Sequence, residues 1–395
     1  MKTFARIRAA LSAVLLGSLL ACGGGGSGGN TSDSTGTMRL AMTDAPACGY
    51  DAVNVTVEKV RVHKSGAADD NGPGWSEVVL NPAQRIDLLS LTNGVLFELG
   101  QTALPAGKYT QMRLVLAENA SKTPFANSVV LSDSKTEIAL KTPSGQQSGL
   151  KANINIDVAA NQLADFVIDF DACKSVVKAG NSGQYLLKPV LSVVPRLVSG
   201  VLGHVEAGVV GPQTSVSLQQ NGVIVKATVP DSAGKFLLQP VPAGSYHLVL
   251  TAPGRTTAVV TSVPVADQTV TTLNATTSAL AVPTSPTATL SGAVTTASSP
   301  SEAQVRALQP LSGGPTIVVA DRPVDSDTGA YAYAAPVNAP LVAPYVVAPT
   351  ALVFAPNTAA AGKYVVEASG AGAVKTASSP TLAGGSTFAT DFTLP

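Results

Sequence analysis

The sequence has few charged side chains and few residues that could bind a metal or carry out catalysis. Asp, Glu, Lys and Arg make up only 13% of the 395 residues, and 25 basic residues balance 25 acidic ones. Nucleic-acid binding needs a basic excess, so this balance excludes a nucleic-acid partner. Three His and three Cys are too few for a zinc or haem centre, and we expect no cofactor. Runs of about 20 apolar residues are also missing, which excludes a multi-pass membrane protein.

The N-terminus is organised like an export signal. Lys2, Arg6 and Arg8 precede a small-and-apolar stretch, 9–21, that is too short to span a bilayer of about 30 Å as a helix. The stretch runs into Leu-Leu-Ala-Cys at 19–22, which resembles the bacterial lipobox. That resemblance implies removal of residues 1–21, a diacylglycerol group on the Cys22 thiol, and acylation of the new amine, for example by palmitate. The alternative is an ordinary secretory signal followed by an accidental Cys.

Residues 22–36 predict a flexible tether, because 23–29 read Gly-Gly-Gly-Gly-Ser-Gly-Gly. Position 23 is Gly rather than Asp, which resembles an outer-membrane address. We therefore expect a lipoprotein attached to the outer membrane through Cys22, with the periplasmic or surface face left open.

Two cysteines, Cys48 and Cys173, remain once Cys22 is acylated. Export places them in an oxidising compartment, where an even pair predicts one disulfide. The bond would close a loop of 125 residues (173 minus 48) and stabilise the fold by about 4–5 kcal/mol. Two buried free thiols are the alternative.

Residues 37–196 follow a strand pattern. Val53, Val55 and Val57 alternate with polar residues, and Val60 and Val62 continue in the opposite phase, which predicts a bulge at 58–59. Gly- and Pro-rich turns separate further short alternating runs, and a short turn is expected around 88–96. The pattern predicts an all-β, multi-domain chain of β-sandwiches.

Several motifs in this segment resemble the bacterial lipoprotein family called domain of unknown function 4382. They are Thr43-Asp44-Ala45-Pro46, Trp75, Asp87-Leu88-Leu89-Ser90-Leu91, Leu104-Pro105-Ala106-Gly107-Lys108-Tyr109, Ser148-Gly149-Leu150-Lys151, Asp169-Phe170-Asp171 and Tyr185-Leu186-Leu187-Lys188-Pro189-Val190. The resemblance covers residues 37–196 and implies no activity, since that of the family is unknown.

Residues 197–279 resemble the carboxypeptidase regulatory-like domain, a transthyretin-type sandwich of the carbohydrate-binding-like fold, through motifs at 198–201, 231–236 and 242–246. Such modules lack the zinc ligands of a peptidase. After a linker at 283–286, residues 286–395 echo the same motifs at 290–294, 327–331 and 361–366. A Pro- and Ala-rich insertion, 334–356, interrupts this second copy, and we expect it to form a loop or a proline-limited edge.

Candidate binding residues are few. Asp44, Asp169 and Asp171 are weak candidates for a cation site. Polar-face positions or pairing with Lys174 and Lys188 are the more common roles for Asp169 and Asp171, and we predict no metal. The residues 325–329 resemble half a calcium loop, but position 336 is Pro, so a β-turn closed by Asp325 is the better interpretation.

Aromatic side chains could bind a sugar. Trp75, Tyr331, Tyr333 and Tyr345 lie in or beside turn- or Pro-rich segments, and exposed rings can stack on sugar C–H faces. For Trp75 and Tyr345 the alternative is a place in a sandwich core, as we expect for Phe236, Tyr246 and Tyr364.

No catalytic signature is present. His63, His204 and His247 are dispersed, and none lies near a Gly-x-Ser-x-Gly elbow. We predict a lipid-anchored, non-enzymatic structural or binding protein of the cell envelope, with the membrane and a glycan or envelope protein as partners. The alternatives are a carbohydrate-binding surface lipoprotein and, more weakly, an enzyme or enzyme subunit with a dispersed site.

Overall fold

The structure, a computed structural model, describes residues 34–44, 49–121, 123–142, 145, 148–297 and 302–395. The predicted signal peptide, Cys22, most of the tether and Cys48 lie outside these residues. Within them the chain is almost entirely β-structure and forms three successive two-sheet domains, which confirms the all-β, multi-domain prediction. In these ranges no helix is long and apolar enough to cross a membrane.

The first domain is a sandwich of two unequal sheets. One has the strand order β12-β9-β1-β4, and the other has the order β10-β11-β7-β6-β2-β5-β8, with β3 also paired to β2. Its elements are β1 (Thr35–Asp44), β2 (Tyr50–His63), β3 (Ser76–Asp87), a 3-10 helix (Leu88–Leu91), β4 (Phe97–Pro105), β5 (Gly107–Leu116), β6 (Ser128–Leu131), β7 (Glu137–Lys141), β8 (Leu150–Val158), β9 (Leu163–Phe170), α1 (Ala172–Ser175), β10 (Val176–Ala179), β11 (Gln184–Leu187) and β12 (Leu191–Pro195).

Alternation along the strands builds the core of this domain. β8 buries every second residue, from Leu150 to Val158, and exposes those between. Each fully buried aliphatic side chain of this kind contributes roughly 1.5–3 kcal/mol. The predicted bulge is confirmed, because the pairing of β2 with β3 and β5 shifts register between Val57 and Lys59. The turn expected near 88–96 is the 3-10 helix, which Asp87 caps.

The second and third domains are smaller sandwiches. The second comprises β13 (Gly200–His204), a 3-10 turn (Ala207–Val209), β14 (Ser215–Gln220), β15 (Val223–Thr228), β16 (Lys235–Leu238), β17 (Gly244–Thr251), β18 (Ala258–Val265), β19 (Val270–Thr272) and a 3-10 turn (Thr276–Ser278). The third comprises β20 (Thr287–Thr295), β21 (Gln304–Pro310), β22 (Thr316–Pro323), β23 (Ala330–Pro336), β24 (Leu341–Pro344), β25 (Ala355–Pro356), a 3-10 turn (Thr358–Ala360), β26 (Val365–Gly370), β27 (Ala373–Ser378), β28 (Thr387–Ala389) and β29 (Phe392–Thr393).

The third domain repeats the strand arrangement of the second. In the second domain the sheets have the orders β16-β13-β19 and β15-β14-β17-β18, and in the third β23-β20-β28 and β22-β21-β26-β27. Each corresponding pair also has the same sense: β13 and β20 both pair antiparallel with one neighbour and parallel with the other. The motifs that echo one another in sequence therefore lie in two copies of one topology.

The insertion in the third domain completes the sheet of the second. β24 pairs parallel with β18, and β25 pairs antiparallel with β24, which gives the order β15-β14-β17-β18-β24-β25. Beside this edge, Val249 and Val259 pack against Leu311, Ile317 and Ala360 of the third domain. The proline-limited edge expected for 334–356 is thus an edge strand on the neighbouring domain.

Candidate functional site at the domain junction

The three domains meet around a cavity of about 270 Å³. The end of β9 and the start of α1 line it from the first domain, β15 from the second and β22 from the third. Its charged lining residues are Asp169, Asp171, Lys174, Lys226, Asp321 and Arg322.

Two largely buried ion networks cross this junction. Lys226 Nζ lies 2.7 Å from Asp169 Oδ2, with only 3% and 17% of the two side chains exposed. Lys174 Nζ lies 2.9 Å from Asp321 Oδ2 and 3.4 Å from Asp171 Oδ2. The first domain is therefore tied by charge to both of the others.

The protonation states follow from burial and from these partners. Burial raises the pKa of Asp171, against the opposing effect of Lys174. Burial alone would lower the pKa of Lys174, but Asp171 and Asp321 together hold it above its ordinary value. Lys174 thus remains a cation at neutral pH. Asp171 also caps α1, since its Oδ1 accepts the N–H of Lys174 at 3.0 Å.

The three candidate metal ligands each have a protein partner. Asp44 Oδ1 accepts the N–H of Ala172 at 2.9 Å, Asp169 pairs with Lys226, and Asp171 caps α1. Across the described ranges, no three His, Cys, Asp or Glu side chains are grouped so as to hold a metal ion. Oδ1 of Asp169 and Oδ1 of Asp321 are buried without hydrogen-bond partners.

Cys173 lies in α1, directly after β9, and is disulfide-bonded. β1 and β9 are parallel, with Asp44 opposite Phe170, so the segments that follow them start at the same end of the sheet. Cys48 lies outside the described residues, and its pairing with Cys173 stays a prediction.

Trp75 is half-buried and fixed from several sides. Its Nε1 donates to the carbonyl of Asp69 at 3.0 Å. The guanidinium carbons of Arg61 and Arg113 lie 4.5 and 5.3 Å from the ring centroid, and the His63 ring lies 5.1 Å away. The indole therefore holds the 64–75 loop against β2 and β5, and only part of the ring is accessible to a ligand.

The prediction that Tyr331 and Tyr333 could bind a ligand at the surface is wrong. Both side chains are buried in the core of the third domain, and their hydroxyls donate to the carbonyls of Thr390 and Val305 at 2.6 Å. Burial raises the pKa of Tyr331 to about 12. Tyr345 is half-buried against the core of the second domain, so most of its ring is also used in packing.

The histidines do not come together. The His63 ring contacts backbone atoms of Ser65 and Pro73, whereas Nδ1 of His204 and Nδ1 of His247 are buried without hydrogen-bond partners. Burial lowers the pKa of His247, so this side chain is neutral at pH 7.

Sequence reasoning missed the residues that join the domains. Asn93 has a left-handed backbone conformation, and its side chain hydrogen-bonds to the backbone of β16 in the second domain. Its Oδ1 accepts the N–H of Leu237, and its Nδ2 donates to the carbonyl of Lys235 at 3.1 Å. Asp325 closes its own turn, as predicted, but its carboxylate also accepts the N–H of Gly180 in the first domain. Turn signals at 93–94 and 325–329 mark both positions without indicating their partners.

Solved structures similar to this chain share very little sequence with it. The TIE protein of Bacillus anthracis is 10% identical over 91% of this chain, with a TM-score of 0.17, and this chain spans 51% of its length. BcpA, the major pilin subunit of Bacillus cereus, is 11% identical over 91% of this chain and 99% of its own, with a TM-score of 0.15. The pilus adhesin SpaC from Lactobacillus rhamnosus GG is 11% identical over 91% of this chain and 44% of its own, with a TM-score of 0.15. These values carry no information about function.

The comparison with curated proteins gave no match. The resemblance of residues 197–279 to the carboxypeptidase regulatory-like domain stays a prediction. Residues 35–189 match the family model described as "Domain of unknown function (DUF4382)". The match spans β1 to β11 of the first domain, in agreement with the motifs found in residues 37–196.

Proposed function

We propose that this chain is a lipid-anchored protein of the bacterial outer membrane with a non-enzymatic, structural or binding role. The observation that carries the proposal is the joining of the three sandwiches into one unit, by a donated strand and by largely buried ion pairs. Loosely linked domains reorient freely, whereas a shared sheet and charge pairs fix their relative positions. A chain built in this way presents a fixed surface at a defined distance from its anchor.

Two further features support this role. Residues 1–29 have the charge, apolar and Leu-Leu-Ala-Cys pattern of a lipoprotein signal followed by a glycine-rich tether. In the described part of the chain the three His lie apart, and the acidic residues at the junction pair with lysines or cap α1. A structural or binding role requires none of these groups to react.

Membrane fractionation of cells expressing the native chain or Cys22→Ala tests the anchor. We expect the native chain in the outer-membrane fraction and the Cys22→Ala chain in the soluble fraction. Ser27→Ala is the matched control, because it changes the same N-terminal segment but keeps the Cys22 thiol and should leave the chain in the membrane. Equal membrane retention of the native and Cys22→Ala chains would contradict the proposal. If the anchor is confirmed, protease treatment of intact cells shows whether the chain faces the medium or the periplasm.

A second candidate function is carbohydrate binding at Trp75. The observation in its favour is position: Arg113, which stacks on Trp75, also lines an open cleft of about 990 Å³ between the first and third domains. A glycan that uses this cleft should lose affinity on Trp75→Ala and keep it on Tyr345→Ala, since Tyr345 packs against the second domain. Unchanged binding in both variants in a glycan-array assay would remove this candidate.

A further inference from the structure

The described part of the chain begins at one end of the first sandwich, where several strands also begin or end. Thr35 pairs with Pro105, Thr37 pairs in parallel with Leu163, and Pro195 at the end of β12 pairs with Phe166. Ser34, the start of β9 and the exit from the first domain therefore lie at the same end of the first sandwich.

The second domain continues this end. Residues 196–199 connect β12 to β13, and Ser199 accepts the N–H of Val241 at 3.0 Å. Gly200 pairs with Val270. Asn93 contacts β16 at the end of each domain that lies away from Ser34 and Gly200. The two sandwiches therefore lie side by side, with the Ser34 end of the first domain next to the Gly200 end of the second.

The insertion of the third domain extends toward the same end. β24 runs parallel to β18, and Tyr345 donates its N–H to the carbonyl of Thr261 at 2.9 Å. The loop 346–354 therefore follows β24 at the same end of the sheet as Val265, the last residue of β18. Residues 328–362 contain no Asp, Glu, Lys or Arg.

Large apolar side chains are exposed along this end. Val347 and Val353, in the loop of the insertion, are 71% and 79% exposed. With Leu163, Val198 and Val270 they form what we call the tether end. Exposed apolar groups concentrated in one region mark a site that contacts another apolar surface.

We propose that the tether end rests on the lipid bilayer that holds Cys22. This inference rests on the anchor proposed above. Cys22 is 12 residues before Ser34 (34 minus 22), so the connection spans at most about 40 Å when fully extended. Because the chain enters the fold at the tether end, this end of the molecule lies within that distance of the bilayer. A loop without charges can enter that boundary without desolvating an ion.

Fluorescence quenching in vesicles tests the proposal. The lipidated full chain, with Trp75→Phe to remove its single tryptophan, is reconstituted into phosphatidylethanolamine and phosphatidylglycerol vesicles with brominated acyl chains. Val347→Trp reports on the tether end, and Val95→Trp is the control, since Val95 is also exposed but lies near Asn93 at the opposite end. We expect about twofold stronger quenching at position 347, because a ring must enter the outermost ~5–10 Å of the bilayer to be quenched.

The outcomes separate the two proposals. Equal quenching at positions 347 and 95 in a chain that floats with the vesicles overturns the membrane-facing inference and leaves the anchor intact. A native chain that does not float overturns both. If the Cys22→Ala chain instead dimerises in sedimentation and Val347→Asp with Val353→Asp makes it monomeric, the tether end is a surface for a second copy, and the bilayer inference is wrong.

Discussion

At the scale of single residues, the ion pair between Lys226 and Asp169 is the most sensitive point of the junction. Asp169→Ala leaves Lys226 buried without its partner, which we expect to destabilise the protein by about 3–5 kcal/mol. Replacing both with apolar residues, Asp169→Leu with Lys226→Met, should recover most of that loss. Guanidinium unfolding of the native chain and of the two variants checks this. A single variant as stable as the native chain would show that the pair does not hold the domains.

Asp325 links pH to domain contact. Burial would raise the pKa of its carboxyl, but hydrogen bonds from Thr328, Asp327 and Gly180 hold it below its ordinary value. The charged carboxylate therefore adds stability above its unfolded-state pKa, and this contribution is lost as the pH falls through the folded-state pKa. We expect Asp325→Ala to cost about 1.5–3 kcal/mol at pH 7 and much less at strongly acidic pH, by thermal unfolding.

The second domain offers a matched control for Asp325. Asp231 occupies the corresponding turn and accepts the N–H of Ala233 and Lys235 within it. Asp231→Ala therefore removes the turn contacts without an inter-domain bond. Equal losses in the two variants would contradict a role for Asp325 in joining the domains.

At the scale of elements, β24 protects the edge of β18. Asn357 donates its N–H to the carbonyl of Pro340 at 2.8 Å, so residues 341–356 can be removed and the chain rejoined there. We expect the shortened chain to self-associate, because it exposes the backbone of β18 and the apolar groups beside it. Analytical ultracentrifugation of both chains in their Cys22→Ala form measures this. A shortened chain that stays monomeric at the same concentration would show that β24 is dispensable.

The disulfide predicted between Cys48 and Cys173 would join the segments that follow β1 and β9. Cys173→Ser should lower stability by about 4–5 kcal/mol if the 125-residue loop (173 minus 48) is closed. Peptide mapping by mass spectrometry without reductant identifies the partner directly. A map in which Cys48 carries a free thiol would contradict the pairing.

Elements that depend on local pattern could be predicted, and those that depend on a distant partner could not. The phase change between Val57 and Val60 forces an extra residue into β2, so the bulge followed from the sequence alone. The alternation of Tyr331 and Tyr333 with Ala indicates a strand, but it does not tell which face of the strand meets the core. The two rings can be buried because each hydroxyl donates to a backbone carbonyl, a partner that the sequence does not indicate. In the same way, the Pro-rich sequence around Leu341 to Pro344 is typical of an edge strand, but it does not indicate that the neighbouring strand is β18.

At the scale of the whole molecule, the sequence predicts three β blocks and an anchor, and the fold adds how the blocks are held together. Lys226, Asn93 and Asp325 each occupy an ordinary strand or turn position, and their role arises only when another domain is placed beside them. Domains fixed in this way would hold a surface at a constant distance from the proposed anchor. This is what a structural or binding role in an envelope requires.

Intact mass analysis of the N-terminal peptide is the sharpest test of the proposed lipid anchor. The peptide is prepared from the native chain isolated from membranes. We predict that it begins at Cys22, with residues 1–21 absent, and carries the mass of a diacylglyceryl group and an amide-linked acyl chain. A peptide with unmodified Cys22, or one that still contains Ala21, would show that the chain is not lipid-anchored through Cys22.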